Sequence, residues 1–260
     1  MNKHTAPTLR IGTAGWTLPR AHAHHFPETG THLERCSQTL NCVEINSSFH
    51  RPHQLKTWER WARCTPPHFR FSVKLPKAIT HTAQLANSGA LLQQFFHEVR
   101  GLGDKLGPIL VQLPPKLAFD ESLAHDFFTT LRELHPQHPH TGFIALEPRH
   151  ASWFTPAVNR LLRSFEIARV AADPPKASPL AATPAGWPGL CYWRLHGTPR
   201  TYYSAYDAAF LRRFAHQLRE STCNHQWVIF DNTALGHATA NALDLTRELQ
   251  HPRSPRTTSR

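Results

Sequence analysis

Several features that mark common classes of protein are missing from this chain of 260 residues. No apolar run approaches the roughly 20 residues that a membrane-spanning helix needs. The first eight residues are largely polar, so no secretory signal peptide is expected and a cytoplasmic location is predicted. The five cysteines show no Cys-x-x-Cys spacing, and their odd number excludes a complete set of intramolecular disulfides. We therefore expect reduced, mostly buried thiols.

Short motifs that identify common catalytic and nucleotide-binding sites are absent as well. The sequence contains no Gly-x-Ser-x-Gly turn, and no cysteine is expected at the inward end of a strand beside His196. Neither a P-loop nor a Gly-x-Gly-x-x-Gly fingerprint follows any strand. Catalysis by a serine or cysteine nucleophile is therefore disfavoured, as is nucleotide binding by a glycine-rich loop.

Acidic residues are few, since 18 Asp and Glu stand against 29 Lys and Arg, and the net charge is +11. A basic protein attracts polyanions, so the expected partners are a small anionic or phosphorylated ligand and nucleic acid. Alternatively, the excess of arginine reflects the base composition of the gene. Part of the charge lies in residues 251–260, a basic tail that is predicted to be disordered. No membrane partner is expected, and the sequence indicates no particular protein partner.

What the sequence does contain is a series of eight stretches that are typical of β-strands. They lie at residues 9–16, 42–49, 70–75, 108–113, 141–150, 167–173, 190–196 and 226–231. Helical patterns separate most of them, at residues 31–41, 54–64, 90–101, 121–134, 156–165 and 207–220, and a last helix covers 236–249. Residues 174–188 hold five prolines and no helical period, so an irregular connection is predicted between strands six and seven.

This order predicts a single (β/α)8 TIM barrel. The strand faces support it, because Val43 and Ile45 point one way along the second strand while Glu44 and Asn46 point the other. The apolar faces would pack against the helices, and the opposite faces would line the barrel and turn polar toward the strand ends. No repeat or linker interrupts the series, so one domain is predicted over residues 9–250, after a flexible segment at residues 1–8.

The strand and loop sequences also resemble a known family. The blocks IGTAGW, VEINSSFHRP, FRFSVKLPKAITH, LGPILVQLPP, LEPRHASW, ADPP, YWRLHG and IFDNTALGHATANAL are similar to successive blocks of the YecE-like family, domain of unknown function 72. The resemblance runs in order from Ile11 to Leu245 and implies a TIM barrel. It implies no reaction, because the family has none established. One departure is Asp231, where the family usually has asparagine beside the shared Asn232.

Functional groups of TIM barrels lie at the carboxyl ends of the strands, and polar residues collect there in this sequence. The predicted catalytic residues are Glu44, Glu147, Asp173, His196 and Asp231. The predicted ligand-binding residues are Asn46, Lys74, Gln112, Arg149, Arg194, Asn232 and Tyr203. The alternative is a structural salt-bridge network. Buried ion pairs stabilise a fold only weakly, so a binding or catalytic site is the favoured interpretation.

The main hypothesis is an enzyme that uses carboxylate acid–base chemistry. Glu147 and Asp173 are predicted on neighbouring strands, close enough for one carboxyl to be held protonated while the other acts as a base. Arg149, Arg194 and Lys74 would then bind a phosphate or carboxylate of the substrate, and His196 would donate or orient a proton. These roles favour a hydrolase or isomerase that acts on an anionic, phosphate-bearing or nucleic-acid-derived compound.

Two alternatives remain open from the sequence. The first is a metal-dependent phosphodiesterase acting on nucleic acid, since Glu44, Glu147 and His196 are acceptable metal ligands. The nearby cations Lys74 and Arg149 would repel a divalent ion, so neither a metal nor another cofactor is predicted. The second alternative is a non-catalytic module that captures an anion or nucleic acid. The tyrosine-rich loop that contains Tyr203 would either stack on a base or sugar, or pack on the barrel rim.

Overall fold

Parallel β-strands in chain order form the centre of the molecule. The computed structural model describes residues 8–135 and 142–250. Its strands are β1 (Thr8–Ala14), β2 (Cys42–Ile45), β3 (Arg70–Lys74), β4 (Leu106–Gln112), β5 (Ile144–Glu147), β6 (Ile167–Arg169), β7 (Ala171–Asp173), β8 (Ala185–Gly186), β9 (Leu190–Leu195) and β10 (His225–Phe230). All pairings are parallel except that of the two-residue β8 with β6.

The barrel closes through the sixth predicted strand, which is divided at Val170. Its first half, β6, pairs with β5, and its second half, β7, pairs with β9. The chain thus passes from one edge of the sheet to the other within a single strand, and eight strand positions close around the interior. This arrangement confirms the predicted (β/α)8 barrel.

The connection between strands six and seven has the predicted irregular form. It contains a short 3₁₀ helix (Pro179–Ala182) and β8, which pairs antiparallel with β6 and places Gly186 beside Ala168. β8 thereby pairs with the edge of β6 that faces away from β5, where β6 does not pair with β9. No α-helix occurs among the described residues of this connection.

Helices surround the barrel between the other strands. They are α1 (His32–Thr39), α2 (Ser47–His50), α3 (Leu55–Arg63), α4 (Gly89–Val99), α5 (Glu121–Leu134), α6 (Pro156–Ser164), α7 (Ala208–Glu220) and α8 (His237–Gln250). Local sequence explains where several begin. Thr31 and Glu34 form a reciprocal capping box at α1, and Asp207 accepts a hydrogen bond from the first turn of α7.

Two apolar clusters form the core. The larger lies between the strands and the helices, and the smaller fills the barrel interior near the amino ends of the strands. Tyr192 and Trp227 stack within the smaller cluster, with ring centres 6.2 Å apart. Trp227 requires a glycine opposite, because a Cβ on Gly107 would lie 2.6 Å from its ring. The apolar filling ends at Tyr192, and a buried polar layer follows above it.

Some boundaries differ from the predictions. β1 begins at Thr8, so this residue belongs to the barrel and not to the predicted flexible segment. Residues 1–7 and the predicted disordered tail at residues 251–260 lie outside the described residues, so both assignments stay predictions. Within the described ranges, no helix is long and apolar enough to span a bilayer.

Candidate functional site

Arg194 on β9 is the centre of the polar layer inside the barrel. Its guanidinium donates from Nε and Nη2 to the two oxygens of Glu44, at 3.0 and 2.7 Å. Nη1 donates to Glu147 Oε2 at 2.8 Å, and Nη2 donates to Asp231 Oδ2 at 2.9 Å. One guanidinium therefore holds three carboxylates from three other parts of the barrel, and four of its five N–H donors are used.

Strand alternation places these groups on the inner face. On β9, Tyr192 and Arg194 point inward, while Trp193 and Leu195 belong to the cluster under the helices. The hydroxyl of Tyr192 lies 2.8 Å from Glu44 Oε2 and 2.7 Å from Ser72 Oγ. Tyr192 thus forms the floor of the site and helps to satisfy a carboxylate that has no solvent exposure.

Glu147 and Arg149 lie at the end of β5, two residues apart. Arg149 Nη2 donates to Glu147 Oε1 at 2.6 Å, and Arg194 binds the other oxygen. Burial by itself would raise the pKa of Glu147, but Arg194 and then Arg149 hold that pKa well below its ordinary value. Glu147 is therefore ionised and fully hydrogen-bonded, so it is not the member of the predicted Glu147–Asp173 pair that would be held protonated.

The His196 ring lies between two carboxylates. Nδ1 is 2.9 Å from Asp231 Oδ2, and Nε2 is 3.0 Å from Glu147 Oε1. Nε2 is also 3.1 Å from Arg149 Nη2. A protonated ring donates to both carboxylates, whereas a neutral ring with its proton on Nδ1 accepts from Arg149. The geometry therefore accommodates both protonation states of Nε2 with a hydrogen-bond partner in each.

Asp231 follows β10 directly and reaches the surface of the site. Only Oδ2 is bonded, to Arg194 and His196, while Oδ1 has no hydrogen bond among the described residues. Burial would raise the pKa of this carboxyl, but Arg194 and the hydrogen bond from His196 lower it. Its side chain keeps 11% exposure. The carboxylate of Asp231 is thus held through Oδ2, while Oδ1 has no bond within the described residues.

Lys74 at the end of β3 borders this network without joining it. Its Nζ lies 4.1 Å from the centre of the Phe49 ring, and no hydrogen bond or ion pair to another described residue reaches it. Burial, and then repulsion from Arg194, lower the pKa of Lys74 to about 8. His81 lies close by, with its ring 4.9 Å from Phe49, and its pKa is lowered by burial and then by Lys74.

The prediction that Asp173 joins the inward carboxylates is wrong. Asp173 pairs in register with Leu195, which faces the helices, and its Oδ1 accepts from Thr198 at 2.6 Å and from Tyr206 at 2.8 Å. The inward residues of this strand are Ala168, Val170 and Ala172, so an odd-numbered residue points outward. Asp173 therefore cannot share a proton with Glu147.

Two other predicted residues take different positions. Asn232 is buried, and its Nδ2 donates to Ser204 and to Asn241, each at 2.9 Å, so it ties the loop after β9 to α8. Tyr203 lies against the guanidinium of Arg200, at 3.9 Å, and is 39% exposed. Its neighbour Tyr202 contacts the network instead.

Asn46 and Gln112 lie at strand ends as predicted, but neither joins the Arg194 network. Asn46 directly precedes α2, and its buried Oδ1 has no hydrogen-bond partner among the described residues. Gln112 ends β4 beside Glu147 in the strand register. Both amides therefore stay available to a ligand, and their predicted role stays a prediction.

The predicted site set left out four residues that the structure brings to it. Tyr192 could have been found by following the inward face of β9 back by two residues from Arg194. Tyr202 packs edge-on against His196, with ring centres 5.8 Å apart, and its position depends on the fold of its loop. Phe49 lies in α2 after β2, and His81 lies in a π-helical turn (Ala78–Thr82) after β3. No local pattern in the sequence places them against Lys74.

No cluster suited to metal binding occurs in the part of the chain that the structure describes. A group of three or more His, Cys, Asp or Glu side chains with metal-binding geometry is absent from residues 8–135 and 142–250. The inward carboxylates of Glu44, Glu147 and Asp231 bind Arg194 instead.

Comparison with known proteins identifies the family. The sequence matches the model of a family described as protein of unknown function DUF72 over residues 10–259. This chain belongs to the DUF72 family. The resemblance to the YecE-like family, domain of unknown function 72, is thereby confirmed. A comparison with curated proteins found no match.

Solved structures of DUF72 proteins share the fold. A DUF72 protein of Enterococcus faecalis is 19% identical and superposes with a TM-score of 0.76, covering 95% of this chain and 97% of that one. A DUF72 protein of Thermotoga maritima is 22% identical with a TM-score of 0.75, covering 94% and 99%. At this identity the likeness shows a common fold, and the chemistry of the site has to be argued from the residues of this chain.

Proposed function

We propose that this DUF72 protein is an enzyme that binds a small anionic substrate at the mouth of the barrel and acts on it by acid–base chemistry. Arg149 and Lys74 would bind the anion, and Asp231 and His196 would handle the proton. The reaction class that fits these groups is hydrolysis or isomerisation of a phosphate-bearing, carboxylate-bearing or nucleic-acid-derived compound. The observation that carries the proposal is the position of His196 Nε2 between an acceptor, Glu147, and a donor, Arg149.

Anion binding is supported by cationic donors that have no partner. Arg149 uses Nη2 for Glu147 and His196, but its Nε is buried and has no hydrogen-bond partner among the described residues. A buried donor left unpaired costs roughly 1–3 kcal/mol, which an anion would recover. The amine of Lys74 supplies a second positive group that no carboxylate neutralises by direct contact. A phosphate or carboxylate that reaches both would replace missing hydrogen bonds with charge-assisted ones.

Proton transfer is supported by the arrangement of Asp231 and His196. A base that is oriented by a second group, which is in turn held by a third, is the usual architecture of an activated acid–base site. Here Arg194 and His196 hold Oδ2 of Asp231, and Oδ1 is left to face the substrate. His196 is 1% exposed, so it acts behind Asp231 as a positioning residue and as a store for one proton.

The buried residues have a supporting role in this proposal. Glu44 and Arg194 are 0% and 1% exposed, so no substrate touches them without a large rearrangement. Their bonds fix the positions of Asp231 and Glu147, as preorganised sites require. Glu147, proposed from sequence as a catalytic residue, would then position Arg149 and His196.

A non-catalytic anion-binding module is the second candidate. The observation that favours a non-catalytic module is that the pKa values of Glu147 and Asp231 both lie below their ordinary values. A carboxylate with a low pKa is a weak base. Both candidate functions use the same anion site. They differ in whether Asp231 takes part in a reaction after the anion has bound.

Calorimetric titration with inorganic phosphate tests the anion site. Wild-type protein should bind phosphate, Arg149→Gln should lose most of the affinity, and Arg212→Gln, at an exposed position of α7, should retain it. Equal phosphate affinity of Arg149→Gln and wild type would reject the site. Turnover is then screened with phosphorylated sugars, keto acids and short oligonucleotides. Asp231→Asn should keep phosphate binding and lose turnover, whereas binding without turnover in the wild type would favour the non-catalytic module.

A further inference from the structure

Of the three cations Arg149, Arg194 and Lys74, only Lys74 makes no ion pair with a described residue. The carboxylates of Glu44, Glu147 and Asp231 all act on its charge, yet each of them binds Arg194 instead. Its nearest described aromatic partner is the face of Phe49, which offers a weak attraction and no hydrogen bond. Anion binding alone does not explain why an amine would be kept apart from three nearby carboxylates.

The surroundings of the amine favour its neutral form. With a pKa of about 8, about one Lys74 in ten is uncharged at pH 7, which is roughly 300-fold more than for a lysine with the ordinary value of 10.5. The neutral amine is the form that attacks carbonyl carbon. Lysines that are desolvated or lie beside another cation are those that form Schiff bases in enzymes. Lys74 meets both conditions, since it is largely buried and repulsion from the charge of Arg194 acts on it.

We propose that Lys74 is a nucleophile that forms an imine with an aldehyde or ketone group of the anionic substrate. This inference rests on the proposed function for the anion site and narrows the substrate to small anionic carbonyl compounds, such as keto acids and phosphorylated aldoses or ketoses. Phe49 and His81 would border the carbonyl end, and Arg149 would hold the anionic end.

The chemistry balances without any further reactant. The nitrogen pair of Lys74 forms a bond to the carbonyl carbon, and the π pair moves to the oxygen. A proton passes from nitrogen to that oxygen and gives a carbinolamine. The remaining N–H proton moves through solvent to the same oxygen, the C–O bond breaks as the nitrogen pair forms the C=N bond, and one water molecule leaves. The product is an imine, which takes one proton from solvent to become an iminium.

The charged groups around Lys74 would act on an iminium in the same direction as they act on the ammonium ion. Glu44 from β2, Glu147 from β5 and Asp231 after β10 all stabilise positive charge at this position, while Arg194 from β9 opposes it. His81 from the π-helical turn after β3 adds a second ring beside Phe49. An iminium withdraws electrons from the adjacent carbon, and Oδ1 of Asp231 has no hydrogen bond within the described residues and would act as the base. This pair would support proton removal next to the former carbonyl, which is the chemistry of an isomerase.

Reductive trapping tests the inference directly. The full-length protein is incubated with glyoxylate and sodium cyanoborohydride, and labelled lysines are located by peptide mass spectrometry. Lys74 should be labelled faster than the exposed Lys77 at pH 7, because roughly 300-fold more of its amine is uncharged than for a lysine with the ordinary pKa. Its rate should rise to about pH 8 and then level, whereas exposed lysines should keep gaining up to pH 10. Equal labelling of Lys74 and exposed Lys77, or a Lys74 rate without a plateau, would overturn the inference.

Two variants serve as controls. Lys74→Arg keeps the positive charge and should abolish labelling at this position, and thermal unfolding of the variant checks that the fold is intact. Lys77→Arg changes an exposed lysine three residues away and should leave Lys74 labelling unchanged. Phosphate titration separates the two proposals. Phosphate binding without preferential Lys74 labelling rejects the nucleophile and leaves the anion site standing, while labelling without phosphate binding rejects the anion site.

Discussion

Arg194 binds both oxygens of Glu44 inside the barrel, at 3.0 and 2.7 Å, and the two side chains are 1% and 0% exposed. The pair joins β9 to β2 across the barrel interior, between residues that are 150 positions apart in the chain. The same guanidinium also binds Glu147 and Asp231, so the position of Arg194 fixes the positions of these two carboxylates as well.

Removing Arg194 should destabilise the fold strongly. Arg194→Met leaves three carboxylates without their shared donor, and breaking a buried ion pair from one side costs about 3–5 kcal/mol. Urea denaturation of the variant should show a loss of that order in the free energy of unfolding. Arg212→Met, at an exposed position, should stay within about 0.5 kcal/mol of wild type. A loss below about 1 kcal/mol for Arg194→Met would show that the network contributes little to folding.

Stability should fall in acid because of Glu147 and Asp231. Their pKa values in the folded protein lie below the ordinary values of 4.5 and 3.8. Each ionised carboxylate therefore contributes stability that is complete above its unfolded pKa and is lost as pH falls through the lower folded pKa. The free energy of unfolding should decline as pH falls below about 4.5. Glu147→Gln should flatten this decline, and an unchanged slope in the variant would contradict the assignment.

Lys74 should cost stability at neutral pH. Its pKa falls from 10.5 to about 8 on folding, so at pH 7 the folded protein carries a charged amine that burial disfavours. Lys74→Met should therefore raise the melting temperature at pH 7, and its advantage should shrink as pH rises from 8 toward 10.5. The exposed Lys77→Met serves as the control and should show neither effect. A destabilised Lys74→Met would mean that the amine has a partner that stabilises it.

Asp173 should matter for the fold and not for the chemistry. Tyr206→Phe removes its hydrogen bond to Asp173 and should lower the free energy of unfolding by about 1–3 kcal/mol. Phosphate affinity and any turnover should change less than about two-fold in Tyr206→Phe and in Asp173→Asn, because the carboxyl faces the helices. Loss of turnover in a well-folded Asp173→Asn protein would contradict the outward placement.

Nucleic acid binding should depend steeply on salt if the basic charge serves it. Fluorescence anisotropy with a labelled oligonucleotide should give an affinity that falls as salt rises, with a slope set by the number of phosphates contacted. Deleting residues 252–260 should reduce that slope and leave phosphate binding at the mouth unchanged. If the oligonucleotide does not bind even at low salt, the excess of basic residues would instead be explained by the base composition of the gene.

Local patterns were sufficient for the architecture. Alternating strands separated by helical periods predicted the barrel, and the five prolines of residues 174–188 predicted the irregular connection. These features are readable because strand faces repeat every two residues and depend only on neighbours in the chain. The same alternation placed Glu44, Lys74, Glu147 and Arg194 on the inner face at the strand ends, which is where the structure has them.

The sequence by itself determined which charges reach the barrel mouth, and only the tertiary structure decided how they pair. Strand alternation continues through Val170 and puts Asp173 on the outer face with Ile167 and Ala171, so the sequence pattern alone could have excluded Asp173 from the mouth. Arg194 takes all three inward carboxylates, so Lys74 is left against Phe49. Which charges pair depends on distances of a few ångström between residues that are far apart in sequence. These distances are set only when the strands close into a barrel.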